Sequence, residues 1–148
     1  MALSQYHMAK INGFCSNCHA PVQMSVGQHV KDDTLVWNLS YHCTSCGEQI
    51  QQDDIGDIPF DYRAKILHTE GEWELIVGKG NDLSLLLMSL RKALNCSLQI
   101  IKLVKDKIPG VVQKGTHAEM TRIARILTKD GIKCVVVSRV HRPSGLAE

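Results

Sequence analysis

Four of the six cysteines fall into two matching knuckles, Cys15-Ser16-Asn17-Cys18 and Cys43-Thr44-Ser45-Cys46, separated by 24 residues. Each Cys-x-x-Cys lets one tight turn present two sulfurs while its backbone amides hydrogen-bond them. Two knuckles supply a closed tetrahedral shell with no position left for water or substrate. Cys15, Cys18, Cys43 and Cys46 are therefore the expected ligands of one structural, non-catalytic zinc ion. Rubredoxin-like iron takes the same spacing and stays open. His19 and His42 flank the set and could replace a cysteine, but with four thiolates complete both are expected outside the shell. A zinc deaminase needs a His-x-Glu upstream of its Cys-x-x-Cys, whereas His68-Thr69-Glu70 and His117-Ala118-Glu119 both lie downstream.

Other chemistry finds little support. The chain has no Ser-His-Asp signature, no phosphate-cradling glycine loop and no His-Glu-x-x-His. Gly78-Lys79-Gly80 is too short for a phosphate loop and reads as a turn. The expectation is a protein that is not an enzyme and has no catalytic residues. Cys96 and Cys134 read as ordinary core thiols. The opening residues lack the charged region, apolar run and cleavage site of a secretory signal, so reduced thiols and a cytoplasmic location are expected. Apolar clusters are broken by charges well short of the roughly 20 residues that span a bilayer, so no membrane contact is expected.

The net charge of +2 hides a division. Residues 1 to 72 carry four basic and nine acidic side chains, a balance of -5, and residues 73 to 148 carry thirteen and six, a balance of +7. Two different surfaces, and two domains, are the natural reading. An acidic ribbon repels phosphate, which lowers the weight of nucleic-acid binding.

The elements that must position the knuckles read as β. Thr34 to His42 alternates, with Leu35, Trp37, Leu39 and Tyr41 on one face and Val36, Asn38, Ser40 and His42 on the other. Met8 to Phe14 and Val22 to Val26 are further strands, and Asp32-Asp33 supplies a turn. The layout is a zinc ribbon over residues 1–52, with residues 53–72 as a linker in which Asp53, Asp54 and Asp57 form a solvated loop. The second half, residues 73–148, alternates strands and helices. Trp73 to Val77 is a strand; Leu83, Leu86, Leu87, Leu90 and Leu94 share a helical face; Asn95 breaks that helix. Ser97 caps a second helix with Ile101, Val104 and Ile108 inside, and Pro109-Gly110 ends it. Val111 to Gly115 is a brief strand. Thr116 and Glu119 form a capping box ahead of Met120, Ile123, Ala124 and Leu127, Gly131 ends that helix, and Ile132 to Val140 closes as a strand. The fold class is α+β: a β zinc ribbon followed by a β-α-α-β-α-β domain, helices packed on a three-stranded sheet. Arg122, Arg125 and Lys129 form a basic row on the third helix, read as a solvated face.

The run Leu98-Gln99-Ile100-Ile101-Lys102 through Ile108-Pro109-Gly110-Val111-Val112-Gln113-Lys114-Gly115, with the later Asp130-Gly131-Ile132-Lys133, resembles the C-terminal domain of the bacterial ribosomal stalk protein. The resemblance covers residues 73 to 140, about half the chain. It implies the β-α-α-β-α-β order, shared with the related ClpS fold, and a non-enzymatic domain whose first two helices present a basic face to acidic surfaces of translational GTPases. The family motif Leu-Lys-Glu-Ala-Lys stands here as Leu98-Gln99-Ile100-Ile101-Lys102, so one lysine is lost and a carboxylate is replaced by isoleucine. A zinc ribbon also replaces the stalk protein's dimerisation segment.

Gln99, Ile100, Lys102, Leu103, Lys105 and Asp106 on the second helix then form the expected partner-binding surface, unless Ile100 and Leu103 tuck against the ribbon. The leading expectation is a bacterial protein-interaction adaptor docking an acidic partner, conceivably a translational GTPase or the ribosome. A second is an immunity or inhibitor protein whose acidic Asp53 to Asp61 stretch covers a basic toxin. A third is nucleic-acid binding by the +7 half, which has Trp73 as its only aromatic.

Overall fold

The computed structural model describes residues 8–139, and the chain divides after Gly71 into two compact units. Alternation of apolar and polar residues organises the first unit. Strands β1 (Ala9–Phe14), β2 (Pro21–Lys31), β3 (Thr34–His42) and β4 (Gln49–Ile55) form one antiparallel sheet in the order β1-β2-β3-β4. The β2–β3 hairpin closes between Lys31 and Thr34 through Asp32 and Asp33, both at positive φ (51° and 62°), the twist a two-residue hairpin turn requires. Opposite residues share a face, so the register stacks Ala9 on Val26 and Val26 on Leu39. Trp37, Leu39 and Tyr41 do share one face of β3, as the alternation predicts.

Helix α1 (Phe60–Glu70) packs on β1 and β2, and Ile66 joins Ala9, Val26 and Ile58 in a small core with Trp37, Leu39 and Tyr62 around it. The expectation of a linker over residues 53–72 is thus replaced by ordered structure. Asp53 and Asp54 lie on β4, paired with Asn38 and Trp37, rather than in a loop. Only Ile66 of α1 is fully buried, so the helix carries no repeating apolar stripe to betray it. Its signals were punctuation: Pro59 immediately before it, whose carbonyl accepts from the Arg63 N–H at 3.0 Å, and Gly71 after it at φ 81°. The strand Gln49–Ile55 was hidden for a related reason. It is an edge strand exposed along nearly its whole length, and edge strands carry charge that blunts further pairing.

The second unit has the element order β5 (Trp73–Val77), α2 (Leu83–Leu94), α3 (Leu98–Lys105), β6 (Gly110–Gly115), α4 (His117–Lys129) and β7 (Cys134–Ser138), with β5 central in the antiparallel sheet β6-β5-β7. Helix starts follow local chemistry. Asp82 accepts from the Leu85 N–H at 3.1 Å, Ser97 accepts from the Ile100 N–H at 3.4 Å, and Thr116 and Glu119 exchange side-chain-to-backbone bonds at 3.1 and 3.0 Å. Leu86, Leu90, Ile101, Val104, Met120, Ile123 and Leu127 close over Leu75, Val77 and Val112 of the sheet. Leu83, expected on the inner face of α2, is exposed; Ala93 takes a buried place instead. Lys133 and Asn81 exchange hydrogen bonds at 2.9 and 3.1 Å, tying the turn after β5 to the approach to β7. Arg122 is not a solvated residue of a basic row. Its guanidinium donates to the Ala93 carbonyl at 2.9 Å and satisfies the end of α2. Val140, the expected last residue of β7, lies outside the described residues.

Candidate metal centre

The first knuckle joins β1 to β2 and the second joins β3 to β4. In the hairpin register Ser25 faces Ser40, so the start of β2 and the end of β3 lie at the same end of the sheet. That register brings both knuckles together. Their local geometry is nearly the same twice over. The Cys15 N–H donates to the Ala20 carbonyl and the Cys43 N–H to the Glu48 carbonyl, each at 2.8 Å. The Cys15 carbonyl accepts from His19 at 2.9 Å and the Cys43 carbonyl from Gly47 at 2.8 Å. The residue after the second cysteine is left-handed in both, His19 at φ 64° and Gly47 at φ 81°. Glycine takes that conformation without steric penalty, and histidine accepts a small one.

The four sulfurs lie within 4.8 Å of one another, with Cys15 Sγ to Cys46 Sγ at 3.7 Å and Cys18 Sγ to Cys43 Sγ at 3.5 Å. A tetrahedral ion with metal–sulfur bonds of about 2.3 Å sets its sulfurs about 3.8 Å apart, so the cluster has the dimensions of a thiolate shell. The first cysteine of each knuckle is 1% exposed and the second is exposed to solvent. Tyr41 braces the assembly: its hydroxyl accepts from the Ser16 N–H at 3.1 Å and lies 3.0 Å from Ser16 Oγ, while its ring packs on Cys15, Val22 and Cys43.

The electrostatics set the two buried cysteines apart from Cys18. The Cys18 N–H pulls the Cys15 thiol down to about 6 against the opposing effect of burial, with help from the Asn17 N–H, whose nitrogen is 3.4 Å from the sulfur. The Cys46 N–H, followed by that of Ser45, pulls Cys43 down in the same way. At Cys18 the Ala20 N–H also favours the thiolate, but burial and the neighbouring Cys43, Cys46 and Cys15 outweigh it and push the thiol up to about 12. The knuckle amides thus favour the thiolate at the two buried cysteines, while burial and the neighbouring sulfurs hold Cys18 protonated. All four expected ligands are brought together. His19 and His42 are exposed, and neither belongs to the ligand group.

The six residues expected to bind a partner are all exposed along α3 and at its C-cap, Asp106, while Ile101 and Val104 between them are buried. Ile100 is 45% and Leu103 62% exposed. Sequence reasoning missed that Leu85 and Met88 of α2 are exposed, because the leucine-rich run conceals which residues turn outward. Cys96 and Cys134 pack at the edge of the core, and burial pushes the Cys134 thiol up despite the opposing Thr128 hydroxyl. His117 meets Trp73 edge-on at 4.4 Å. Among the described residues no helix is long and apolar enough to cross a membrane. Compared with known proteins, the chain matches no family model, no curated protein and no solved structure.

Proposed function

We propose that the chain is a non-catalytic adaptor, in which one zinc ion staples the first unit as a zinc ribbon and the second unit, akin to a ribosomal stalk C-terminal domain, docks an acidic protein surface in the cytoplasm. The observation that carries the docking reading is the outer face of α3. Two large aliphatic side chains, Ile100 and Leu103, stand in solvent beside Lys102 and Lys105, while Ile101 and Val104 anchor the helix from below. Apolar anchors ringed by cations suit a partner with an acidic rim, and each exposed aliphatic gains from burial on binding. Four sulfurs without an open position support a structural metal over a reacting one.

The test uses the full zinc-loaded chain with purified translational GTPases and ribosomes. Saturable, salt-sensitive binding that is lost in Leu103→Asp and weakened in Lys102→Glu supports the reading. Binding to neither, or equal binding by the variants, overturns it. Elemental analysis should return one zinc per chain; iron would replace zinc by a rubredoxin-like centre. The immunity or inhibitor reading draws on one feature, Phe60, which is 80% exposed between the exposed carboxylates Asp57 and Asp61. Rescue from a genetically neighbouring toxin on co-expression, abolished by Phe60→Ala, would favour it over the adaptor.

A further inference from the structure

The face of the β1–β4 sheet opposite its apolar side neither holds the metal nor packs α1. Its side chains are nonetheless far from random. In the strand register Lys10, Ser25, Ser40 and Gln51 form one rung across all four strands. One step toward the knuckles, the same face carries the pair Asn12 and Gln23 on β1 and β2 and the pair His42 and Gln49 on β3 and β4. Residues of these two rungs, together with Tyr41 and Ile50 between them on β3 and β4, line an open cavity of about 600 Å³. That volume lies within the roughly 300–1,000 Å³ of small-ligand sites.

The chemistry of the lining narrows the occupant. Every side chain that alternates onto the two rungs ends in a hydroxyl, an amide, an imidazole or an ammonium group. An apolar ligand would strip water from these groups and give nothing back. A cation would find no carboxylate on either rung. A polyanion would meet a single lysine, already hydrogen-bonded to Ser25, on a half of the chain whose balance is -5, with Asp53 one rung further along the same face. Glutamine amides and serine hydroxyls both donate and accept, which matches the vicinal hydroxyls of a sugar. An apolar plane is also at hand. Phe14 alternates onto this face from Lys10 and is 71% exposed beside the first knuckle. On the other side of the first rung Met8 and Asn38 lie over Gly27, so closely that a Cβ there would stand 2.4 Å from the Met8 sulfur.

We propose that this polar sheet face binds a short neutral oligosaccharide, with the glutamine and serine side chains meeting its hydroxyls and Phe14 meeting the apolar side of a sugar ring. The strands that carry these groups are cross-paired and held at one end by the metal knuckles, so little conformational freedom is lost on binding.

The experiment titrates the ¹⁵N-labelled, zinc-loaded full chain with neutral cello-, malto- and chito-oligosaccharides, and in a parallel arm with oligothymidylate. Saturable shifts confined to the two rungs with one of the sugars are expected. Replacing Gln49 and Gln51 together by alanine should weaken that binding about tenfold, the net worth of roughly one modest hydrogen bond per side chain. Phe14→Ala should weaken it as well. All three positions are exposed, so zinc content and the remaining spectrum should not change. Absence of saturable shifts with every sugar overturns the proposal. Shifts with oligothymidylate alone that fade with salt would make the face a single-strand site instead, and a double variant binding as tightly as the native chain would place the sugar elsewhere.

Discussion

Removing the zinc ion proposed for the four-cysteine cluster should unfold the first unit and leave the second standing. The two cores differ greatly in size. In the first, the buried aliphatic side chains among the described residues beyond Ala9 are Val22, Val26, Val36, Ile58 and Ile66, and the cysteines themselves form part of one of its two small clusters. In the second, thirteen buried residues, three of them on the sheet itself, form one cluster. Fully burying an aliphatic side chain contributes about 1.5–3 kcal/mol, so these five supply on the order of 10 kcal/mol, before the ordering entropy is subtracted. Structural zinc in small domains contributes about 10–16 kcal/mol, which exceeds the whole stability of many domains. Loss of the ion therefore leaves the first unit without its largest favourable contribution, and Cys43→Ser should act in the same direction by opening the shell. The assay is built into the chain, because it has two tryptophans, Trp37 beside Tyr62 in the first unit and Trp73 on β5 in the second. Chelation of a Trp73→Phe variant should move Trp37 fluorescence to the value seen in denaturant, while amide signals of β5 to β7 persist. Retention of a native Trp37 signal after complete zinc removal would refute the reasoning, because the small core would then suffice alone.

Three further outcomes follow from individual contacts. Leu90 is fully buried at the centre of the second core, so Leu90→Ala should cost about 2–5 kcal/mol by chemical denaturation of that unit while zinc retention by the first is unchanged. Asp130 is held below the usual carboxylate range first by the Lys92 ammonium at 2.8 Å and then by the Ser89 hydroxyl at 2.7 Å. A lowered folded-state value stabilises above the unfolded value near about 4 and is lost as pH falls through the folded one, so Lys92→Met should move the acid-unfolding midpoint of the second unit to higher pH. His19 holds the left-handed position that Gly47 occupies in the other knuckle, so His19→Gly should slow zinc transfer to a chelator, and Gly47→Val should speed it, each by an effect on the order of 1 kcal/mol.

Much of this architecture is legible wherever a residue type does one local job. Ser97, Thr116 and Glu119 cap helices because their oxygens reach free amides, and Asp32-Asp33 turns the hairpin because short acidic side chains tolerate positive φ. The alternation of β3 gave its faces correctly for Trp37, Leu39 and Tyr41. Where local pattern and tertiary setting part, the reading fails. Helix α1 buries one residue and shows no stripe, β4 is a polar edge that pairs through its backbone alone, and Arg122 looks like a solvated cation until its distance to the Ala93 carbonyl is known. Leu83 and Leu86 are the same residue type three positions apart, and only the packing of α2 decides that the second goes inside.

The four cysteines and their spacing by themselves determined that a closed thiolate shell was available, because ligand chemistry and the reach of a two-residue knuckle are local properties. Only the tertiary structure decided that the four sulfurs come together. The antiparallel register of β2 and β3 brings residues far apart in the chain to one end of a sheet, and it is the same register that lines up Lys10, Ser25, Ser40 and Gln51 across four strands. Pairing between distant segments depends on which backbone amides meet, and no single segment carries that information.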